Sequence, residues 1–372
     1  MKSERIIAIV AVWLGVLPLL AQEWQSVTVN ADSTVSFCYC GEGRNVQVLG
    51  DFEYAGSHRK YDELHPHKLK MQLGEDSCFH VTTPALVPEL YTYSLVVDGK
   101  HVTDPCNPDT AWNTIHKCNL LTVGGTPQTA LYQQPVQQGQ LIRTTWFDRH
   151  AQRNRRLCVY LPNASNHKSP IINQRFPVLY LLHGISGYEG AWAERGRAIQ
   201  ILENMIAAGQ VQPMVIVMPD CNIDTDDDQP CHHSLLKSVT GYPRLRQDRS
   251  LEFAMDDLIR HIEQTYPVSD RRAIAGLSSG ARIAANIVKH YPGLFEAVGL
   301  FSPVVYKEQL PEEPSTTQYH IYTGKNDLFI QNGRRLHKQL NKRGITHSYT
   351  ETCGAHCWRN WRIYLADFLS QL

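Results

Sequence analysis

The fold is decided by one stretch of the chain, RAIAGLSSG at residues 272–280. It contains the motif G-x-S-x-G with Ser278 at its centre, after an apolar strand-like run and before a helical pattern that begins near Ala281. In this strand–turn–helix setting, the motif holds a serine on a tight, strained turn that exposes its hydroxyl. Glycine on either side lets the strand and the helix approach each other without side-chain clashes. The stretch therefore predicts an α/β fold with Ser278 as a nucleophile.

Residues 141–372 alternate between strand patterns and helix patterns. The runs 178–182 and 215–218 are continuously apolar, as in strands that are buried on both faces of a parallel sheet. Between them, apolar residues recur at helical spacing over 199–206, and Gly209 stands where a helix cap belongs. The alternation continues to the C-terminus, so we predict an α/β-hydrolase fold, a mostly parallel sheet flanked by helices, for 141–372.

Residues 22–125 show short strands that are separated by turn residues. The last of these strands leads into Asp98-Gly99-Lys100, which is typical of a hairpin turn. We predict a small all-β sandwich here, of the immunoglobulin-like kind. Residues 126–140, with two Pro and several Gln, are predicted to be a linker between the two domains. The predicted strands are 27–29, 35–39, 46–49, 78–81 and 91–97.

Residues 1–21 have the pattern of a cleaved export signal. Lys2 and Arg5 precede an apolar run, and Ala21 is a small residue of the kind that signal peptidases prefer. The alternative is a membrane anchor, but the run contains Gly15 and Pro18 and is shorter than the roughly 20 apolar residues that span a bilayer. We expect an exported protein, periplasmic or extracellular, with no stable membrane span.

Charge and composition exclude other classes of protein. Among 372 residues, 36 Lys and Arg balance 36 Asp and Glu, so the chain lacks the basic surplus of a general nucleic-acid binder. With 42% hydrophobic and 19% charged residues, the composition is that of an ordinary globular protein. The sequence indicates no oligomeric state.

The ten Cys can form disulfides in an oxidising compartment. Two spacings suit a disulfide, Cys221 with Cys231 and Cys353 with Cys357, although the connectivity is not readable from the sequence. Cys38 and Cys40 point the same way on one strand, and we do not expect them to pair with each other. No pair of C-x-x-C motifs occurs, and the acidic stretch 224–228 lacks EF-hand spacing, so we predict neither a metal nor a cofactor.

A serine hydroxyl needs a base to take its proton and an acid to orient that base. In this fold the acid and the histidine follow the serine along the chain, which favours Asp327 and His356, each just after a predicted strand. The alternatives are a loop or helix-cap carboxylate for Asp327, and for His356 any other of the 17 His. Asp220 also ends a strand, but it precedes Ser278.

Two further groups of residues complete the predicted site. The loop His183-Gly184 follows the strand 178–182, and we nominate the backbone N–H groups of Ile185 and Ser279 as the oxyanion hole. A simple strand-end turn is the alternative for this loop. Three aromatic side chains near these loops are candidates for binding substrate, with core packing as the alternative; they are Tyr188, Trp192 and Trp358.

This set of motifs resembles the esterase D and carbohydrate esterase family 1 group, over about 146–372. That group includes feruloyl esterases, acetyl-xylan esterases and enterochelin esterases. One departure is Ser279, where the group commonly has Met. The motifs that carry the resemblance are Tyr160-Leu161-Pro162, the segment 177–184, Met218-Pro219-Asp220, the motif 276–280, and His356 followed by Trp358 and Trp361.

The N-terminal part is similar to the glycogen-branching type of carbohydrate-binding module. The resemblance rests on Leu49-Gly50-Asp51-Phe52, on the segment 90–99, and on Asp104-Pro105 with Asn107. The Trp that such modules often carry before the central strand is absent, and Cys78 lies in that neighbourhood. A packing role for this domain is therefore at least as well supported as sugar binding.

The resemblance implies a secreted serine esterase without a cofactor. Its expected substrate is an ester-substituted glycan or an aryl ester, with acetyl or feruloyl groups on plant polysaccharide or oligosaccharide. Within catalysis, the alternative is a siderophore esterase of the enterochelin type. From another class, the alternative is a non-catalytic glycan-binding protein that has kept the fold.

Overall fold

The structure is a computed structural model, and it describes residues 25–57, 66–112, 116–133, 139–162, 175–185, 187–222, 251–313 and 316–372. The predicted signal peptide, Cys231 and the acidic stretch 224–228 lie outside these residues. Among the helices that the structure describes, none is both long enough and apolar enough to cross a membrane.

The N-terminal part consists of two antiparallel sheets, which we call the front sheets, so the all-β prediction is confirmed. One sheet has the order β1-β2-β6-β5, and the other has the order β4-β3-β7-β10-β9 with β8 paired to β7. Asp98 and Gly99 join β7 to β8 with φ angles of 49° and 84°, as a tight hairpin turn requires. The strands are β1 Val27–Val29, β2 Val35–Tyr39, β3 Val46–Gly50, β4 His67–Lys70, β5 Gln72–Leu73, β6 Phe79–Thr82, β7 Glu89–Val97, β8 Lys100–Val102, β9 Thr110–Trp112 and β10 Lys117–Val123.

The predicted linker contains a helix, α1, at Pro127–Gln133. Pro127 suits the first turn, because its missing N–H has no partner to lose there. Tyr132 on this helix is buried, and the Asn204 side chain donates a hydrogen bond to the Leu131 carbonyl at 2.5 Å. Packing against α3, at Ala198–Ala207, thus orders a segment whose composition predicted a linker.

The C-terminal part is built on one mixed sheet of eight strands, in the order β11-β12-β14-β13-β15-β16-β17-β18. The strands β11 and β12 are antiparallel to their neighbours, and all the others run parallel, which confirms the α/β-hydrolase prediction. The strands are β11 Gln140–Asp148, β12 Arg153–Leu161, β13 Phe176–Leu182, β14 Val215–Pro219, β15 Val268–Leu277, β16 Ala297–Phe301, β17 Gln318–Gly324 and β18 His347–Thr352.

Helices cover both faces of this sheet and bury a core on each. One core joins the sheet to α3 and α7, through residues such as Leu202 and Phe368. The other joins it to α4 and α5, through residues such as Leu258 and Ile287. The remaining helices are α2 Ala191–Glu194, α4 Met255–Thr265, α5 Ser279–His290, α6 Ile330–Lys342 and α7 Trp358–Leu369.

The cysteines pair differently from the prediction. The structure has a disulfide between Cys40 and Cys78, which links β2 to the start of β6. The suggested bond between Cys353 and Cys357 is wrong, because Cys353 is a free, exposed thiol. Its suggested partner, Cys357, precedes α7 as the N-cap residue, and its side chain is buried in the core of the front sheets. Cys38 does not bond to Cys40, as expected.

A buried ionic cluster joins the front sheets to α7. Glu89, at the start of β7, accepts hydrogen bonds from Arg362 at 2.7 Å and from Tyr132 at 2.5 Å, and Arg359 lies 3.0 Å from its other carboxylate oxygen. Burial alone would raise the pKa of Glu89, but the charge of Arg362 and the hydrogen bond from Tyr132 hold that pKa below its usual value. The stabilisation is therefore present at neutral pH and is lost as the pH falls through the lowered pKa.

We predict that Glu89→Ala lowers the free energy of unfolding by about 3–5 kcal/mol, because the buried Arg362 loses its counter-charge. Glu296→Ala is the matched control, since it removes an exposed pair with Arg271 and should cost about 0–1 kcal/mol. Urea unfolding at neutral pH measures both values. Equal losses in the two variants would contradict a stabilising role for the buried cluster.

Candidate active site

Ser278 lies on a strained turn between β15 and α5, with φ 55° and ψ −115°. Its neighbours show why glycine is needed on both sides. A Cβ atom on Gly276 would lie 2.5 Å from the carbonyl oxygen of Gly280, and one on Gly280 would lie 2.4 Å from the carbonyl oxygen of His183. Such distances cannot be tolerated, so the predicted close approach of strand and helix is confirmed.

The turn is tied to the next strand of the sheet. The backbone N–H of Ser278 donates to the carbonyl of Phe301 at 2.8 Å, at the carboxyl end of β16. Asp327 follows β17 and His356 follows β18, which are the next two strands in the sheet. The three predicted residues therefore come from the same edge of the sheet, where the parallel strands end.

Asp327 and His356 form a hydrogen-bonded pair. The His356 Nδ1 atom lies 3.1 Å and 3.2 Å from the two carboxylate oxygens of Asp327, and the Phe329 N–H donates to one of them at 2.8 Å. Because a carboxylate accepts, the proton of the neutral ring belongs on Nδ1, which leaves Nε2 able to act as a base. Burial alone would raise the pKa of the Asp327 carboxyl, but the hydrogen bond and charge of His356 hold it below its usual value.

Two aromatic rings fix the orientation of the His356 ring. Phe329 and Trp361 meet it edge to face, with centroid distances of 5.1 Å and 5.0 Å. The Trp361 indole N–H donates to the Ser302 hydroxyl at 3.0 Å, so this ring is itself held in place. The sequence did not indicate this contact, although Trp361 on α7 follows His356 by only five residues.

The loop after β13 lies against the strained turn. A Cβ atom on Gly184 would lie 2.6 Å from the Leu277 side chain and 3.3 Å from the Leu277 carbonyl oxygen. Ser279 is the first residue of α5, and Ile185 follows Gly184 with its side chain half exposed. The N-terminus of α5 carries the partial positive charge that favours an oxyanion.

His183 holds this loop in position. Its Nε2 atom accepts a hydrogen bond from the Cys221 N–H at 2.9 Å, so Nδ1 carries the proton and donates to the Gly184 carbonyl at 2.8 Å. The ring is 2% exposed and cannot reach solvent. The sequence placed His183 at a strand end, but it did not indicate this role as a brace between β13 and β14.

The three aromatic candidates for substrate binding are buried. Trp192 is 1% exposed, and its indole N–H donates to the Leu182 carbonyl at 3.0 Å. The Tyr188 hydroxyl accepts a hydrogen bond from the Trp112 N–H at 3.2 Å, across the contact between the two parts of the chain. Trp358 packs edge to face on Trp192 at 5.2 Å. Core packing, the alternative considered for all three, accounts for these positions.

A family model described as "Putative esterase" matches residues 149–320. This part of the chain is similar to that family of esterases. It includes Ser278 and the loop after β13, and it ends before Asp327 and His356. The match confirms the predicted resemblance to the esterase D and carbohydrate esterase family 1 group, whose members are carboxylic ester hydrolases.

An endo-1,4-beta-xylanase/feruloyl esterase of Xylanibacter ruminicola is 26% identical over 243 residues, which are 64% of this chain and 32% of that protein. The chain thus spans about a third of the length of this relative. Two solved structures share the fold. A ferulic acid esterase of Anaeromyces mucronatus covers 66% of this chain and 95% of its own, at 20% identity and a TM-score of 0.52.

The second structure is the enterobactin esterase of Shigella flexneri, at 17% identity and a TM-score of 0.60. It covers 91% of this chain and 93% of its own. The aligned region of this neighbour therefore extends well beyond the part of the chain that the esterase family model matches.

We predict that Gly280→Ala lowers kcat/KM for ester hydrolysis about 100-fold, because a displacement of about 1 Å near the reacting atoms has an effect of that size. Gly209→Ala is the matched control: its φ is +71° and its added Cβ would contact nothing within 4 Å. That variant should lose some stability and keep its activity. Hydrolysis of 4-nitrophenyl acetate measures both, and unchanged turnover in Gly280→Ala would contradict the contact with His183.

Proposed function

We propose that the chain is a serine esterase in which Ser278 is the nucleophile, His356 the general base and Asp327 the residue that orients it. The observation that carries this proposal is the hydrogen-bonded pair of Asp327 and His356, at the same edge of the sheet as the strained Ser278. A hydroxyl on such a turn becomes reactive when a neighbouring imidazole accepts its proton.

The reaction proceeds through an acyl-enzyme. His356 takes the Ser278 proton as the hydroxyl oxygen attacks the ester carbonyl, and then gives that proton to the leaving alcohol. Water repeats the sequence on the acyl-enzyme and releases the acid. The backbone N–H groups of Ile185 and Ser279 stabilise the negative charge on the carbonyl oxygen in both steps.

The proposed substrates are acetyl or feruloyl esters on plant polysaccharides or oligosaccharides. Support comes from the Xylanibacter ruminicola relative, whose name includes feruloyl esterase. A zero net charge also suits a neutral glycan. Such a substrate lies outside the cell, and the export pattern of residues 1–21 agrees with a periplasmic or extracellular enzyme.

The second candidate is a siderophore esterase. The observation in its favour is that the enterobactin esterase of Shigella flexneri aligns with 91% of this chain, front sheets included. A panel of 4-nitrophenyl acetate, methyl ferulate, acetylated xylan and a catecholate trilactone separates the candidates by kcat/KM. The ranking of ferulate and acetate over the trilactone is the expected result, and the reverse order would favour the siderophore esterase.

We predict that Ser278→Ala lowers kcat on 4-nitrophenyl acetate at least 1000-fold, in the range of about 10³–10⁶ seen when a nucleophile is removed. The thermal midpoint should change little, because only one oxygen atom is lost from an existing turn. Labelling with a fluorophosphonate provides a second measurement: the wild type should be labelled and the variant should not. Retained turnover in the variant would exclude Ser278, and an unlabelled, inactive wild type would favour a non-catalytic glycan-binding protein.

We further predict that Asp327→Asn lowers kcat about 10³–10⁴-fold with little change in KM, because an amide can hold the ring in the wrong tautomer. Asp367→Asn is a control on α7, away from the His356 loop, and should keep full activity. The pair of variants tests the orienting role specifically: if Asp327→Asn retained wild-type turnover, another group would have to hold the His356 ring.

A further inference from the structure

Four side chains with metal-binding atoms lie together on the outer face of a front sheet, far along the chain from the esterase residues. Cys38 and His80 are directly opposite each other in the register of β2 and β6. Cys40 follows the last residue of β2, and Cys78 precedes the first residue of β6. Both lie two positions along the strands from Cys38 and His80, on the same face. We call this group the strand-pair cluster; its members are Cys38, Cys40, Cys78 and His80.

Two distances within the cluster match the edges of a tetrahedral metal site. The Cys38 sulfur lies 3.9 Å from the Cys40 sulfur and 3.8 Å from the His80 Nε2 atom. With zinc bonds of about 2.3 Å to sulfur and 2.0–2.1 Å to nitrogen, the edges of a tetrahedral site are about 3.8 Å and 3.6 Å. The three sulfur atoms all lie within 4.8 Å of one another.

A disulfide alone does not account for this arrangement. The bond between Cys40 and Cys78 uses two members of the cluster, yet a third thiol and an imidazole lie beside it. The Asp76 carboxylate lies 2.9 Å from the same Nε2 atom of His80, so this contact has to open before Nε2 can bind a metal.

We propose that the strand-pair cluster binds one zinc ion when its disulfide is reduced. Opening the Cys40–Cys78 bond takes two electrons and two protons, which a dithiol supplies as it becomes a disulfide itself. Zinc then replaces the protons of three thiols and forms three bonds to sulfur and one to nitrogen. Three thiolates and one imidazole form a common structural zinc set, and such soft ligands select zinc over calcium or magnesium.

In this proposal the metal and the disulfide are two ways to hold β2 against β6. Because both connect the same two strands, the front sheets keep their architecture in oxidising and in reducing conditions. The sequence predicted no metal site because it contains no pair of C-x-x-C motifs. The proposed ligands are instead spaced C-x-C and C-x-H on two paired strands. Alternation along a strand brings such ligands to one face.

The test uses the full chain, reduced with a phosphine, freed of metal and then incubated with zinc. We expect about one zinc per chain by mass spectrometry of the metal, and, with cobalt in its place, the thiolate-to-metal absorption of a tetrahedral site. The oxidised chain should bind none at this site. Reduced wild-type protein that takes up no zinc would overturn the proposal.

Variants outside the disulfide show whether the cluster itself binds the metal. Cys38→Ser and His80→Ala leave the Cys40–Cys78 bond intact, so their folding can be checked in the oxidised form by the thermal midpoint. Each should reduce the zinc content of the reduced chain to near zero, while Cys106→Ser, at an exposed free thiol elsewhere, should leave it unchanged. Zinc binding that persists in Cys38→Ser would place the metal elsewhere, whatever the esterase activity of the chain.

Discussion

The contact between the start of α5 and the end of β13 constrains the whole region around Ser278. Gly280 lies so close to the His183 carbonyl that no side chain fits between them. This contact brings the first turn of the helix against the loop that carries Gly184 and Ile185. The N–H groups of that helix turn and of that loop are the proposed oxyanion donors. One backbone contact therefore determines the positions of both Ser278 and these donors.

The order of residues along the chain predicted much of this candidate site. The position of Ser278 depends on neighbouring residues, and the positions of Asp327 and His356 depend on the order of the parallel strands. A strand, a tight turn and a helix are short-range features, and glycines mark the turn. In parallel strands the carboxyl ends share one edge, so residues that follow β17 and β18 arrive beside a residue that follows β15. Asp220 follows β14 and reaches the same edge, but there it accepts a hydrogen bond from Arg156 at 3.0 Å.

Other features could not be predicted because they depend on contacts between distant segments. The strand β10 is nearly all buried, yet Asn119 within it breaks the apolar pattern, since its side chain bonds to the Asp104 backbone rather than to water. Tyr132 on helix α1 donates a hydrogen bond to Glu89, which lies 43 positions away in the chain. The spacing of the cysteines along the chain did not predict the disulfide, because Cys40 and Cys78 are brought together only by the pairing of two strands.

The front sheets are structurally coupled to the proposed catalytic residues through α7. This helix begins two residues after His356, and its first turns carry Arg359 and Arg362, which pair with Glu89 and, for Arg359, also with Glu53. Cys357, between the histidine and the helix, packs into the core of the front sheets. A shift of the front sheets would therefore move the loop that carries His356 and alter its distance from Ser278. A domain that resembles a sugar-binding module thus has a structural role in this chain, which is to hold the start of α7 in place, and this role does not depend on sugar binding.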